Sequence, residues 1–453
     1  MKLRELIEGV NIKEVPQNVN LDLDVNISTD TRSIKQGDFY LPLKGASFDG
    51  ENFIEQAIEK GAIGSFCTKD FSPRPNLLHK GTGAQPLCML KVPDTLTAYL
   101  QLANYRRNKL NPTVVAVTGS SGKTTTKELV ASVLSEKYRT FKTPLNHNNE
   151  IGFCQTIFEA PDDTEVLVLE MGMRGLGEIE LLSKYAEPDI TIISNVGTAH
   201  IGRLGSRENI AKAKCEIVKF QRGKVFIAHD DELIKNTVNF DGEKIYYSLK
   251  DVNIIKKTAQ YSKFSYKGYE YELNAGGDYN IENALSAINA GYKLGLTAEQ
   301  IKSGLKKYKP IEKRWEGVGV NINGNTTEVI NDSYNANPES MRAFIDTIFE
   351  HYKDYVLVLG DMGELGENEG KYHTDLGEYI NNKPNLNKNA KIISIGTLSK
   401  NITDKITNCE THHFNSTDEC IPYLKSNIYP PVTLFLKASR SMKFENIISG
   451  LQG

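Results

Sequence analysis

The sequence predicts an α/β protein of about three domains, and three observations predict it. Thr113 to Val117 is a short β-branched apolar run. It leads into the loop Gly119-Ser120-Ser121-Gly122-Lys123-Thr124-Thr125, and then into Lys127 to Tyr138, where Leu129, Val130, Val133 and Leu134 recur at helical spacing. Far downstream, the apolar runs Tyr355 to Leu359, Lys391 to Ile395 and Val432 to Leu436 are separated by helical stretches, the alternation of a parallel-sheet domain. The length of 453 residues suits about three domains at roughly 150 residues each, every one large enough for its own core.

Composition narrows the class of function. Charged residues make up 25% and the net charge is -3, so no basic excess points to a nucleic-acid partner. The cysteines at 67, 88, 154, 215, 409 and 420 include no CxxC pair, which reads as reduced thiols and not as a disulfide framework or zinc site. The opening MKLRELIEGV mixes both charge signs and has no signal-peptide apolar core, and no apolar run approaches the roughly 20 residues that span a bilayer. A cytoplasmic protein without membrane insertion is expected.

Residues 1–88 read as a small α/β unit. Phe39 to Leu43 is an expected strand, and Asn52 to Lys60 an expected helix closed by Gly61. Two polar loops, Ser28-Thr-Asp-Thr-Arg-Ser33 and Leu41-Pro-Leu-Lys-Gly45 running to Phe48-Asp-Gly50, either hold a polar ligand or are plain turns. Pro73, Pro75, Gly81, Gly83 and Pro86 mark a loose boundary stretch.

Residues 89–309 hold the strand–loop–helix unit, with Leu96 to Leu110 as a helix before it. Strand, glycine loop and helix form the setting of a phosphate-binding loop: backbone N–H groups turn inward and the helix N-terminus adds partial positive charge. In that pattern Lys123 reaches terminal phosphates and the Thr124 hydroxyl binds Mg2+. Val117 departs from it, because a glycine commonly stands there. The amide-rich Thr143-Pro-Leu-Asn-His-Asn-Asn149-Glu-Ile-Gly152 either orients phosphates or a metal's water shell, or is an asparagine-rich turn. Val166 to Leu169 is a second buried strand with Glu170 at its end, where ligands of α/β sheets lie and a carboxylate can hold Mg2+. Asp189 to Ser194 is a third, followed by His200 at the same expected edge. Lys214 by itself reads as a solvated helix lysine. Tyr261 to Asn274 is a hairpin around Lys267-Gly268, and Asn280 and Asn283 share one face of a helix running to Leu294, where they read a base edge or cap the helix.

Residues 310–453 are the third unit. Its polar sets follow strands or turns: Lys313-Arg314-Trp315-Glu316, Asn331-Asp332-Ser-Tyr334-Asn335-Ala-Asn337, Gly360-Asp-Met-Gly-Glu-Leu-Gly366, His373 and Lys437-Ala-Ser-Arg-Ser-Met442. It has no second phosphate loop, so it is expected to close over the nucleotide of the central unit.

The ordered set TGSSGKTTTKE, NHNNEIG, LVLEMGMRGLGEI, NVGTAHIGRLGS, AKAKCEI, NIENALSAI, KRWE, NDSYNANPESM, LGDMGELGE and KASRSM resembles the Mur ligases over residues 28 to 448. The resemblance is strongest to the branch that adds D-alanyl-D-alanine to UDP-N-acetylmuramoyl-tripeptide, and the loop without its first glycine is that family's variant. Ala438, where glycine is usual, and Asp278-Tyr279 before Asn280 depart from the pattern. The resemblance implies a UDP-substrate domain at 1–88, an ATP-binding ligase domain at 89–309 and a Rossmann-like domain at 310–453. It implies that Thr31, Arg32, Lys44 and Asp49 bind the UDP substrate. It implies that Gly119 to Thr125, Asn149, Asn280, Asn283, Arg314, Asp332, Tyr334, Asn335 and Asn337 serve the nucleotide. Thr124 and Glu170 would hold one Mg2+, and His200 and Lys214, as its carbamate, a second. A monomer working on UDP-N-acetylmuramoyl-tripeptide, D-alanyl-D-alanine and ATP is the expectation.

Overall fold

The computed structural model describes residues 1–12, 18–45, 47–71, 74, 87–310, 314–322, 324–429 and 431–452. Pro73, Pro75, Gly81, Gly83, Pro86 and Lys313, singled out above, lie outside them. The chain divides into two compact units, Met1–Pro112 with Asn149–Asp163, and Thr113–Asn148 with Thr164–Gly453.

In the first unit, β1 (Ile27–Ser28), β2 (Phe39–Tyr40), β3 (Gly64–Cys67) and β4 (Cys88–Lys91) pair in that order, all parallel. β2 is shorter than its apolar run because Pro42 has no N–H to give a ladder. The expected helix at 52–60 is a 3-10 turn, Gly50–Phe53, continued by Ile54–Glu59. The helix Thr95–Leu110 is capped by Asp94, whose side chain accepts from Thr97 N–H, and it ends on Asn111 in the left-handed region. It packs on the helix Glu150–Glu159, with Tyr99 stacked on Phe158 at 5.5 Å between ring centroids.

The second unit carries three sheets among its described residues. In the first, β5 (Thr113–Thr118), β6 (Thr140–Lys142), β7 (Val166–Glu170), β8 (Ile190–Ile193), β9 (Val225–His229) and β10 (Glu243–Tyr247) lie in the order β10-β9-β8-β5-β7-β6, all parallel. The chain leaves β5 toward β6 and β7 on one side and returns to β8 on the other. The crevice between the carboxyl ends of β5 and β8 is therefore a switch point, the place where α/β sheets receive ligands. The apolar face of the helix Lys123–Leu134 packs there with Val115, Val117, Ile281 and Leu285 in one core. Val117, where a first loop glycine is usual, lies fully buried inside β5. The helix begins four residues before the expected Lys127, because its first turn, Lys123-Thr-Thr-Thr126, is polar, and it ends at Leu134, short of the expected Tyr138.

β11 (Asn253–Lys257), β12 (Ser262–Tyr266) and β13 (Tyr269–Leu273) form an antiparallel sheet, and the β12–β13 turn is Lys267-Gly268, both left-handed. The third sheet has β14 (Glu316–Ile322), β15 (Asn325–Asn331), β16 (Tyr355–Gly360), β17 (Lys391–Ile395), β18 (Glu410–Phe414) and β19 (Thr433–Lys437) in the order β14-β15-β19-β16-β17-β18. All its pairs are parallel except the β14–β15 hairpin, and an apolar cluster covers each face. The three strands expected from the apolar runs, β19, β16 and β17, are its centre.

Candidate active site

In the first unit, Thr31 and Arg32 follow the carboxyl end of β1, while Lys44 and Asp49 follow that of β2. Thr31 Oγ1 donates to Gln56 Oε1 at 3.0 Å. Arg32 pairs with Asp30 at 2.7 Å and holds the Asp30 carboxyl down to about 2. Lys44 and Asp49 face each other across an antiparallel bridge, closed by Gly45 N–H to Phe48 O at 2.9 Å, and Asp49 Oδ1 accepts from Glu51 N–H at 3.0 Å. All four residues thus stand on loops at one edge of a parallel sheet.

In the second unit, the loop after β5 is shaped by the loop after β8. Ser120 N–H donates to Asn195 O at 3.1 Å and Ser121 N–H to Asn195 Oδ1 at 2.9 Å. Ser121 O accepts from Ser194 Oγ at 2.6 Å and from Asn195 Nδ2 at 3.0 Å. Gly122 sits at φ +76°, and a Cβ there would come within 2.5 Å of Asn283 Oδ1, so the helix can start only on a glycine. Lys123 Nζ folds back to donate to Gly119 O at 2.8 Å, and burial lowers its pKa below the ordinary lysine value.

Glu170 ends β7 beside this loop with its side chain buried. Its Oε1 accepts from Asn148 Nδ2 at 2.9 Å and from Thr124 Oγ1 at 3.2 Å. Its Oε2 is buried without a hydrogen-bond partner, 3.8 Å from Lys127 Nζ. An orphaned anionic oxygen next to a threonine hydroxyl, under a phosphate-binding loop, is a donor set suited to Mg2+, a hard cation usually held by one or two carboxylates together with phosphate oxygens and water. Among the described residues no group of three or more His, Cys, Asp or Glu stands together to hold a metal by side chains of those types alone. Lys127 is fully buried and donates to Thr143 O at 2.8 Å and Leu145 O at 3.2 Å, which ties the asparagine-rich loop to Glu170.

His200 lies past β8, in the left-handed region, at the start of the short helix Ile201–Leu204. Lys214, in the helix Arg207–Cys215, is 1% exposed, and no hydrogen bond or ion pair reaches its amine among the described residues. Burial drives its pKa well below the ordinary lysine range, and the nearby Lys123 charge adds to the effect. The solvated-lysine reading of this residue is therefore wrong: it is a buried amine kept neutral more easily than most.

Residues just before β14 and just after β15 arrive at the same place. Arg314 Nη2 donates to Thr124 Oγ1 at 3.0 Å, and its guanidinium stands 4.3 Å from the centroid of the Tyr334 ring. Asn337 Nδ2 donates to Ser121 Oγ at 2.9 Å while its Oδ1 caps the helix Pro338–His351. Asp332 pairs with Lys437 at 2.6 Å, and Lys437 also reaches Asn335 O at 3.3 Å. Asn280 turns back to Gly276 O at 2.7 Å, and Asn283 accepts from Thr126 Oγ1 at 3.2 Å. Asn149, in the first unit, caps its helix through Gly152 N–H at 2.9 Å.

The structure therefore gathers Ser121, Lys123, Thr124, Glu170, Asn283, Arg314, Tyr334 and Asn337 around one loop. Asn148, Asn195 and Lys127 are further residues of this site, and each stands inside one of the motifs quoted above without a spacing that marks it. Glu339 is another, its carboxylate accepting from Thr198 N–H and Oγ1, both at 3.0 Å. No spacing rule separates these residues from their polar neighbours.

Comparison with known proteins supplies the family. Residues 117–291 match the Mur ligase middle domain, residues 313–440 the Mur ligase glutamate ligase domain, and residues 25–80 the Mur ligase family catalytic domain. The UDP-N-acetylmuramoyl-tripeptide–D-alanyl-D-alanine ligase of Bacillus subtilis is 36% identical, covering 94% of this chain and 92% of its own, and that of Escherichia coli is 30% identical, covering 96% and 95%. A crystal structure of MurF from Acinetobacter baumannii superposes with a TM-score of 0.85 at 28% identity, over 100% of this chain and 98% of its own. The MurF ligase of Thermotoga maritima in complex with ADP gives 0.81 at 25% identity, over 95% and 97%. With an α/β, three-domain architecture shared along its length and relatives matched nearly end to end, the chain belongs to the Mur ligase family.

Proposed function

We propose that this chain is an ATP-dependent amide ligase that joins D-alanyl-D-alanine to UDP-N-acetylmuramoyl-tripeptide, releasing ADP and phosphate and forming the pentapeptide precursor of peptidoglycan. The observation that carries this reading is the meeting of Lys123, Thr124 and Glu170 at one sheet edge, in a chain that aligns nearly end to end with relatives bearing that name. Residues 1–88 bind the UDP substrate through Thr31, Arg32, Lys44 and Asp49, residues 89–309 bind ATP, and residues 310–453 close over it. The protein works as a cytoplasmic monomer; among the described residues no helix is long and apolar enough to cross a membrane.

A carboxylate acylates poorly, because its leaving group would be oxide. Transfer of the γ-phosphoryl group of ATP onto it creates an acyl phosphate, which the amine of D-alanyl-D-alanine attacks to expel phosphate. Lys123, released from Gly119 O, stabilises charge on the moving phosphoryl oxygens, and Arg314, whose Nη2 reaches the Thr124 hydroxyl, does so beside it. Mg2+ held by Thr124 and Glu170, with a second ion at His200 and carbamylated Lys214, would supply the remaining positive charge. The neutral, buried amine of Lys214 is the form that combines with CO2, losing an N–H proton as the N–C bond forms, and the product is an anionic oxygen ligand that an ammonium could not be. Closure of the third domain keeps water from the acyl phosphate.

The test is phosphate release from Mg-ATP with UDP-N-acetylmuramoyl-tripeptide and D-alanyl-D-alanine, each omitted in turn. Release that needs both, with a UDP-linked pentapeptide found by mass, is expected. Release indifferent to both would overturn the ligase reading, and release with another amine would keep the family and change the substrate.

A further inference from the structure

The segment Gly360-Asp-Met-Gly-Glu-Leu-Gly366 follows β16, and its residues have had no part in the chemistry so far. It is pinned at three successive positions. Asp361 accepts from the N–H groups of Thr397 and Leu398, both at 3.1 Å, and of Ser399 at 2.7 Å. Met362 N–H donates to Nε2 of buried His373 at 2.9 Å, and Gly363 N–H to Ser439 Oγ at 2.7 Å. The next residue, Glu364, is held at φ +63°, a region that residues with a Cβ adopt uncommonly. That conformation carries its carboxylate to His200, with Oε2 2.5 Å from Nδ1. The contact is close but is not an aligned hydrogen bond, Nδ1 being buried without a hydrogen-bond partner. His200 is itself left-handed, at φ +66°. Beside the pair, Gly202 N–H donates to Glu364 O at 3.2 Å, and a Cβ on Gly202 would meet Gly366 N at 2.5 Å. Backbone on both sides of the contact is thus held in the left-handed region and closely packed.

We propose that Glu364 is a positioning residue for His200, holding the imidazole at Nδ1 so that Nε2 faces the second metal ion. The proposal rests on the reading of His200 as a metal ligand given above. Histidines that bind metals commonly present their other ring nitrogen to a carboxylate, which sets ring orientation and tautomer and raises the basicity of the ligating nitrogen. Here the carboxylate follows β16 of one sheet and the histidine follows β8 of another. The pair exists only while these two sheets are docked. Ion affinity at this site and docking of the third domain are therefore coupled, and by linkage each strengthens the other.

The test uses the intact enzyme, a non-hydrolysable ATP analogue and Mn2+ as the probe, titrated by electron paramagnetic resonance. The wild-type chain is expected to bind two Mn2+ ions, and a single ion would overturn the two-ion reading and this inference with it. H200A checks the reading alone and is expected to lose one ion; two ions bound at wild-type affinity would remove His200 from the metal site. E364A is expected to weaken that same ion by about tenfold to a hundredfold, with the other ion unchanged. E364Q, isosteric but neutral, falls between E364A and wild type, and it carries the comparison should E364A not fold. If H200A loses an ion while both Glu364 variants hold two at wild-type affinity, the inference alone is overturned. Equal weakening of both ions in the Glu364 variants overturns it as well, because a positioning role through His200 acts on one ion.

Discussion

Arg314 donates from Nη2 to the Thr124 hydroxyl at 3.0 Å, the same hydroxyl that donates to Glu170. Its guanidinium also stacks 4.3 Å from the centre of the Tyr334 ring. A positive fork therefore rests where positive charge is needed during phosphoryl transfer, held flat by an aromatic face that a lysine could not use in the same way. R314A is expected to lower kcat on the order of a thousandfold, by analogy of role with arginines that stabilise transferring phosphoryl groups. R314K is expected to recover little of it. Phosphate release at saturating ATP measures both, and a lysine variant with wild-type kcat would show that charge alone suffices.

Lys214 is a buried amine without a partner among the described residues, its pKa pressed down by burial first and by Lys123 second. A lowered value means that the neutral, CO2-reactive form is populated at lower pH than for an exposed lysine. K214A is expected to be inactive and to regain part of its turnover with millimolar formate or acetate, which restore an anionic oxygen donor. Enzyme stripped of CO2 is expected to lose activity and regain it with bicarbonate. Full activity of K214A would remove the carbamate from the mechanism.

Lys127 has no exposed surface and stands 3.2 Å from Glu128 and 3.8 Å from Glu170. Its donors to Thr143 O and Leu145 O fix a loop in which Leu145 is left-handed, at φ +43°. Removing the cation strands two carbonyls and leaves the buried Glu170 carboxylate without its neighbouring cation, a change that typically costs about 3 to 5 kcal/mol. K127M is therefore expected to lower the urea midpoint markedly and to weaken nucleotide binding, since Asn148 and Glu170 depend on that loop. A midpoint within error of wild type would contradict the argument.

The parts of the site that were legible are those whose chemistry lies along the chain. Lys123 and Thr124 sit in one short loop between a strand and a helix, and Glu170 ends an apolar run, so periodicity alone places them at a sheet edge. What pairs across the chain was not legible. Asn148 and Asn149 are adjacent and chemically identical, yet one reaches Glu170 and the other caps a helix, a choice set by where that helix starts. Asn283 offered a base edge or a cap, and the close approach of Gly122 made it a wedge against the loop. Lys214 looked like a surface lysine because helix periodicity does not reveal that its helix is covered on that face. In the third sheet the apolar strands β16, β17 and β19 stood out, whereas β14 and β18, edge strands with more polar residues, did not.

His373 supplies a pH dependence whose sign follows from its bond. It is fully buried, its Nε2 accepts from Met362 N–H, and its Nδ1 lies 2.7 Å from Glu369 O, so the neutral ring with the proton on Nδ1 satisfies both contacts. Burial lowers its pKa below the ordinary histidine value of 6.5. In the window between the folded value and 6.5 the unfolded chain binds a proton that the folded chain refuses, so stability rises with pH there. The contribution is complete above 6.5 and is lost as the pH falls toward the folded value, at up to about 1.4 kcal/mol per pH unit for one proton. Glu364, on the same loop, acts in a separate window. Contact with His200 holds its carboxyl below the ordinary 4.5, so its contribution is complete above 4.5 and fades only below that. Urea midpoints measured from pH 7 to pH 5 are therefore expected to fall more steeply for the wild-type protein than for H373Q, whose amide oxygen can still accept from Met362 N–H but takes up no proton. Parallel midpoint curves for the two proteins would show that His373 is not the group that titrates.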